Sequence, residues 1–182
     1  MANPSVRGYQ KQNLTALMNG MKMHVKGVLQ PQLVAVLRKK ADELVAALDS
    51  GTYDIPIYLG HLHDATGCAV YADGSLNYFR PTAKRATGKL GKSGFDGVNH
   101  YGIDGAAFLQ QAISEASTRF AKGVWFVVFS AVPYAYHIDA HGSPLGRGQD
   151  FFKTIRGTAV NDILAGLRAI PNVEVTATPT ML

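Results

Sequence analysis

The longest apolar run of the sequence, residues 124–132, is interrupted only by Ser130. At about nine residues the run is too short to cross a bilayer as a helix, and it has the length of a buried β-strand. Its side chains are apolar at both alternating sets of positions, which is typical of a strand covered on both faces. We therefore expect a central strand here, and a fold that contains a sheet.

Amphipathic helices are predicted on both sides of this run. The clearest covers residues 32–49, where apolar side chains recur with the helical period and Gly51 follows where a C-terminal cap belongs. Asp104 can cap a second helix that runs to Ala121. Residues 151–167 have the apolar periodicity of a third amphipathic helix.

A tight hairpin is predicted around Asp73 and Gly74. These two residues separate residues 67–72 from residues 75–79, and Asp-Gly is typical of a two-residue primed turn between paired strands. Residues 173–178 alternate in polarity and could add an edge strand. The pattern as a whole predicts an α+β fold, with a small mixed or antiparallel sheet packed against two or three amphipathic helices and a long inserted loop.

The domain organisation is simple. Residues 1–12 are predicted to be a flexible N-terminal arm, and residues 13–182 a single α+β domain. Residues 13–29 have helical potential that Pro31 is expected to interrupt. Residues 81–104, rich in glycine and lysine, are expected to form a mobile loop of the kind that is functional or ordered by a partner.

Composition excludes several classes of protein. The single cysteine, Cys68, excludes a disulfide scaffold and a thiolate zinc site, and its place in a predicted strand favours packing over nucleophilic catalysis. No segment resembles a signal peptide core or a membrane span, so we expect no membrane association. The net charge of +5 permits contact with nucleic acid without requiring it.

Two short histidine-rich motifs, HxHD and HxDxH, allow a metal-site interpretation. Imidazole and carboxylate groups are common ligands of zinc and of non-haem metals, and such a site would support a metal-dependent hydrolase or nuclease. Each motif, however, lies beside a glycine at a predicted strand end or loop, where polar residues collect anyway. We therefore expect solvated or interface histidines, with no metal, cofactor or catalytic residue. The residues concerned are His61, His63, Asp64, His137, Asp139 and His141.

The lysine-rich loop contains a Gly-Lys-Ser triplet at residues 91–93, without the spacing or the strand and helix of a phosphate-binding loop. Its lysines could still neutralise phosphates non-specifically. A small host-type nucleic-acid-binding domain therefore stays open as a further hypothesis.

The first histidine motif belongs to a longer pattern. Pro56, Gly60 and Leu62 have the spacings of P-x-x-T-G-x-L-x-x-S, with Leu59 in place of the threonine and Ala65 in place of the serine. This pattern resembles the turn that leads into a strand in the small neck and tail-completion proteins of long-tailed, lambdoid-type bacteriophages.

The second histidine motif carries the other half of the resemblance. Tyr134, Ala135, Ile138 and Asp139 are similar to the family's Y-A-x-x-V-E pattern, and Gly142 follows one residue later than the family's glycine. The entry to the last predicted helix, residues 150–153, is similar to the aromatic-leucine entry of the family. The resemblance covers roughly residues 33–167, in pieces.

The resemblance implies a non-enzymatic structural protein of the virion, made in the host cytoplasm and located at the head–tail junction. Its partners would be other copies of itself in a homo-oligomeric ring, the head-completion or connector protein, the tail-tube protein, and DNA that crosses the lumen without sequence specificity. A tail terminator of the same junction is the related alternative. The loop expected to face DNA or a neighbouring ring carries Arg80, Lys84, Arg85, Lys89 and Lys92.

Overall fold

The computed structural model describes residues 17–19, 21, 23, 25–53, 55, 61–85, 104–132, 135–142 and 150–171, with backbone only for Tyr136, His137 and Arg156. Within this part of the chain, a π-helical turn at Val25–Leu29 is followed by the helices α1 (Gln30–Asp49), α2 (His61–Asp64), α3 (Gly105–Ala116), α4 (Ala135–His141) and α5 (Phe151–Arg168). The strands are β1 (Thr66–Ala72), β2 (Ser75–Pro81) and β3 (Val124–Ser130). This combination of helices with a small antiparallel sheet confirms the α+β prediction.

Helix α1 follows the predicted amphipathic pattern. Its buried stripe comprises Val34, Leu37, Ala41, Leu44, Val45 and Leu48. The helix ends where the backbone N–H of Ser50 donates to the carbonyl of Ala46, and Gly51 then takes a φ of +79°. Pro31 does not interrupt the helix as expected. The π-helical turn at Val25–Leu29 runs directly into α1, and Pro31 is the second residue of α1.

The sheet has the order β2-β1-β3, and both pairings are antiparallel. The turn between β1 and β2 has positive φ at Asp73 (48°) and Gly74 (81°), the combination that a type I′ hairpin turn requires. The predicted hairpin is therefore confirmed. An irregularity between Val70 and Tyr71 leaves Asn77 without a register partner, so β2 carries a bulge.

Strand β3 was expected to be central, and this prediction is wrong for the described sheet. The central strand is β1, whose residues are all buried, whereas β3 lies at one edge and most of its side chains are partly exposed. The apolar run indicates that both faces of β3 are covered, but face coverage does not determine whether both edges are hydrogen-bonded.

Helices cover both faces of the sheet. Cys68 and Val70 point to the face that α1 and α5 cover, whereas Ala69 and Tyr71 point to the opposite face, against the end of α3. The Tyr71 hydroxyl donates to the carbonyl of Ile113 at 2.9 Å and so ties β1 to α3. The two motifs lie at the end of this layered core that is distant from the hairpin turn.

The other predicted helices are found with small changes in their bounds. Asp104 caps α3 as expected, since its carboxylate accepts from the N–H groups of Ala106 at 3.0 Å and Ala107 at 3.2 Å. Helix α3 ends at Ala116, before the predicted Ala121. Helix α5 agrees with its prediction.

The predicted loop begins later than expected, because β2 continues to Pro81 and Thr82 is buried. Residues 86–103 lie outside the described residues, as do the N-terminal arm (residues 1–12) and residues 173–178. None of the described helices is long and apolar enough to span a membrane.

Candidate functional site

The first motif forms a buried corner between α1 and the sheet. All four residues of the short helix α2 are buried, with His63 fully enclosed and Asp64 exposing 3% of its surface. The expectation of solvated or interface histidines is therefore wrong for His61 and His63. Interior packing fixes these side chains, although a polar Gly-His-x-His sequence is typical of a surface loop.

His63 lies between two carboxylates. Its Nε2 atom is 3.3 Å from Oδ1 of Asp49, and its Nδ1 atom is 3.7 Å from Oδ1 of Asp64. Neither ring nitrogen forms a hydrogen bond with these oxygens, because 3.7 Å is too long for one and the 3.3 Å contact is poorly aligned. The two carboxylates approach different ring nitrogens, which orients the imidazole within the core.

The same carboxylates hold the chain that leaves β2. Oδ1 of Asp49 accepts from the N–H of Ala83 at 2.8 Å, and Oδ1 of Asp64 accepts from the N–H of Arg85 at 2.6 Å. The guanidinium of Arg85 donates to the carbonyl of Asp49. The Thr82 hydroxyl approaches the carbonyl of His63 at 2.6 Å. We call this set the histidine corner: Asp49, His63, Asp64, Thr82 and Arg85.

Asp49 was not singled out from the sequence. It is the last residue of α1, where a negative charge is unfavourable to the helix dipole unless another group compensates for it. This negative charge at the C-terminal end of a helix was the only local sign that Asp49 has a partner elsewhere in the chain. Its contacts with His63 and Ala83 join residues far apart in the chain, so no short motif could have revealed them.

The second motif forms the entry to α5. The carbonyl of Asp139 accepts from the N–H of Asp150, and its carboxylate accepts from the N–H of Phe152, both at 2.8 Å. Gly142 ends α4 with a φ of +76°, and its N–H donates to the carbonyl of Ile138 at 2.8 Å. Glycine adopts a positive φ without the steric cost that a β-carbon would impose. Asp139 therefore bonds the backbone at the start of the last helix.

The two motifs meet through apolar side chains. Leu62 of the first motif shares one buried cluster with Ala135 and Ile138 of the second. The strands that connect them are also paired at this end, because the N–H of Ala131 donates to the carbonyl of Ala65 at 2.9 Å. The other motif residues, Pro56, Gly60 and Tyr134, lie outside the described part of the chain.

The histidines do not converge on a cation site in the described residues. His61 and His63 are buried, whereas His141 is exposed at the end of α4. Among the residues that the structure describes, no three His, Cys, Asp or Glu side chains are arranged to hold one metal ion. The geometry therefore gives no support to the metal-dependent hydrolase hypothesis.

The basic residues expected to face DNA have different surroundings. Arg80 lies within β2, and its Nε atom is 3.6 Å from a carboxylate oxygen of Asp42 on α1. Arg85 belongs to the histidine corner, and Lys84 is exposed beside it. Lys89 and Lys92 lie outside the described residues.

Cys68 is buried at the centre of β1. Burial, with a smaller contribution from the negative charge of Asp42, raises the pKa of its thiol to about 12. A thiol with so high a pKa is almost entirely protonated at neutral pH and is a poor nucleophile. The predicted packing role of Cys68 is therefore confirmed.

The most exposed apolar surface of the described residues precedes α1. We call it the apolar arm: Leu17, Met18, Met21, Met23, Val25 and Val28. Met23 exposes 76% of its surface, and Leu17 and Met21 each expose 61%. No residue of the π-helical turn within this segment is buried. The sequence showed helical potential here, but it did not reveal that the apolar side chains face solvent.

A small cavity of about 80 Å³ lies between α1, α5 and β3, beside Tyr53 and Phe126. Ligand pockets for organic molecules usually enclose about 300–1,000 Å³, so this cavity is too small to hold such a ligand.

No protein-family model, curated protein or solved structure matches the chain.

Proposed function

We propose that the protein is a non-enzymatic structural subunit of the head–tail junction of a long-tailed bacteriophage. In this role it is a neck or tail-completion component, and its copies form a homo-oligomeric ring around the channel that DNA crosses. The apolar arm is the observation that carries the proposal, because its large apolar side chains are exposed among the described residues.

The extent of the apolar arm supports an interface between subunits. From their exposed fractions, its six side chains present on the order of 600 Å² of largely apolar surface, close to the roughly 800 Å² that each partner contributes to a standard interface. Leu17, Met21, Val25 and Val28 recur at the spacing of one helix face, and exposed apolar surface of this kind usually marks an interaction site. Six of the eight large apolar side chains that are exposed in the described residues belong to this arm.

The two motifs support a structural role rather than catalysis. In the histidine corner, the carboxylates of Asp49 and Asp64 accept bonds from backbone N–H groups, and Asp139 does the same at the start of α5. Catalytic carboxylates need access to a substrate, whereas these residues fix the corners of the subunit. This agrees with the resemblance of both motifs to the neck and tail-completion family.

The basic residues suit a subunit near DNA without forming a specific site. Lys84 is exposed, and Lys89 and Lys92 follow it in the sequence. Together with the net charge of +5, they favour non-specific attraction to phosphates. Arg80 and Arg85 contribute less, because each already contacts groups within the chain.

Light scattering after size-exclusion chromatography, with negative-stain electron microscopy, tests the proposal on the full chain. We expect one closed ring of uniform size. Met21→Asp places a charge in the arm and should shift the protein to monomers, whereas the matched change Gln110→Asp on the exposed face of α3 should leave the ring intact. A wild-type chain that stays monomeric at all concentrations, and is absent from purified phage particles by mass spectrometry, would contradict the proposal.

A binding experiment distinguishes the roles at the junction. Purified rings of a neck or tail-completion component should cosediment with the head connector and also with tail tubes. A tail terminator should cosediment with tail tubes before any head is present.

A further inference from the structure

We propose that the apolar arm of one copy packs on the hairpin patch of the neighbouring copy, the patch being Leu76 and Trp125 at the turn end of the sheet. This inference rests on the proposed ring and identifies the two surfaces that join its subunits.

Leu76 and Trp125 form one surface because of the strand register. Both residues pair with Tyr71 of β1, Leu76 from β2 and Trp125 from β3. Directly paired residues of antiparallel strands point to the same face of a sheet, so the two side chains flank Tyr71 on one face. Tyr71 is fully buried, whereas Leu76 exposes 43% and Trp125 exposes 41% of its surface.

Trp125 is held in position before any partner binds. Its Nε1–H donates to the carbonyl of Lys122 at 2.7 Å, and its ring centroid lies 5.2 Å from that of Phe120. Phe120 in turn packs against Tyr71, with ring centroids 5.0 Å apart. A fixed, half-exposed tryptophan loses little side-chain entropy on binding, and such residues commonly dominate the energy of an interface.

The arm of the same chain does not cover the hairpin patch. The arm leads into α1, which packs on the face of the sheet opposite Trp125. Lys26 ties the end of the arm to the hairpin turn, since its Nζ atom is 3.3 Å from Oδ2 of Asp73. The side chains of the arm nevertheless stay between 43% and 76% exposed. A second copy is therefore the occupant that can join these two surfaces.

The distribution of charge favours this contact between copies. All 13 acidic residues of the chain lie at or after Asp42, whereas seven of its 18 basic residues precede Asp42. The arm belongs to the basic part, and the hairpin patch belongs to the part in which acidic residues are in excess. Because opposite charges attract across an interface, this distribution favours contact between the arm of one copy and the patch of another.

The contact also has the symmetry that a ring needs. The arm and the hairpin patch are different surfaces, so each subunit uses its arm toward one neighbour and its patch toward the other. Such head-to-tail contacts produce closed rings when the rotation between subunits closes. A contact between identical surfaces would stop at a dimer.

Cross-linking between two single-cysteine additions tests the contact. A tagged Met21→Cys chain is assembled with an untagged Leu76→Cys chain, and a short bis-maleimide is added. We expect a covalent heterodimer of one tagged and one untagged chain. The buried Cys68 should not react, and wild-type chains provide that control. In the matched control, the untagged chain carries Gln110→Cys in place of Leu76→Cys. The yield of heterodimer with the tagged Met21→Cys chain should then be at least tenfold lower.

The outcomes separate this inference from the proposed function. Rings that form while the Met21→Cys and Leu76→Cys pair gives no more heterodimer than the control would overturn the contact and leave the ring proposal standing. A chain that stays monomeric would overturn both. A monomer whose Met21→Cys is protected from maleimide by phosphatidylserine vesicles or by DNA would assign the arm to a lipid surface or to nucleic acid, and would contradict the inference.

Discussion

Gly105, the first residue of α3, lies directly against the backbone carbonyl of His61, the first residue of α2. A β-carbon built at Gly105 would be 2.2 Å from that oxygen and 3.0 Å from the backbone nitrogen of Ala65. Both contacts involve backbone atoms, which cannot rotate away as a side chain can. The absence of a side chain at Gly105 therefore lets the start of α3 pack against the backbone of α2.

Gly105→Ala should destabilise the fold. We expect the free energy of unfolding to fall by about 1–3 kcal/mol, because the backbones of α2 and α3 must separate to admit the methyl group. Urea denaturation followed by circular dichroism measures the change. The matched control is Gly157→Ala within α5. Apart from the backbone of the helix itself, no atom lies within 4 Å of the added carbon, and helix propensity should raise stability by up to about 1 kcal/mol. Equal effects of the two changes would contradict the packing argument.

Asp49→Ala should loosen the chain that follows β2. The change removes the carboxylate that accepts from Ala83 and lies beside His63, so we expect a loss of about 1–3 kcal/mol in unfolding free energy. Hydrogen exchange at Ala83 should accelerate by more than the global loss of stability explains. Glu43→Ala on the same helix removes only the exposed pairs with Lys39 and Lys40, and should cost about 0.5 kcal/mol or less. Unchanged exchange at Ala83 would count against the histidine corner.

Asp73 should make stability depend on acid pH. The N–H of Gly123, and then Lys26, favour the carboxylate and lower its pKa in the folded protein. Its stabilising contribution is therefore present above about pH 4, the ordinary carboxyl pKa, and is lost as the pH falls through the lower folded-state value. Asp73→Asn keeps a residue that tolerates the φ of 48°. The melting temperature of this variant should lie below that of the wild type at pH 6 and approach it as the pH falls below the folded-state pKa of Asp73. A difference that does not change with pH would refute the prediction.

Cys68 should resist alkylation in the folded protein. Because burial raises the pKa of its thiol to about 12, both access and thiolate formation are suppressed at pH 8. Iodoacetamide labelling should therefore be slow in buffer and rapid above the urea midpoint, as measured by mass spectrometry. Labelling in buffer at the rate of an unfolded peptide would show that β1 is accessible.

Local sequence determined the elements whose causes lie within a few residues. The periodicity of residues 32–49 predicted most of α1, and Asp73 and Gly74 predicted the tight primed turn. Asp104 predicted the cap of α3 through a carboxylate that reaches the next backbone N–H groups. Helical period, turn conformation and capping depend on neighbouring residues, so these patterns were sufficient.

Only the tertiary structure decided which edges and side chains are covered. The sequence of β3 did not indicate its place at one edge of the described sheet. The sequence around His63 suggested a surface loop, whereas the structure encloses the imidazole ring. The contact between Asp49 and Ala83 and the exposure of the arm at Met23 were also not predictable. Burial and strand order arise from contacts between residues far apart in the chain, and no local pattern records those contacts.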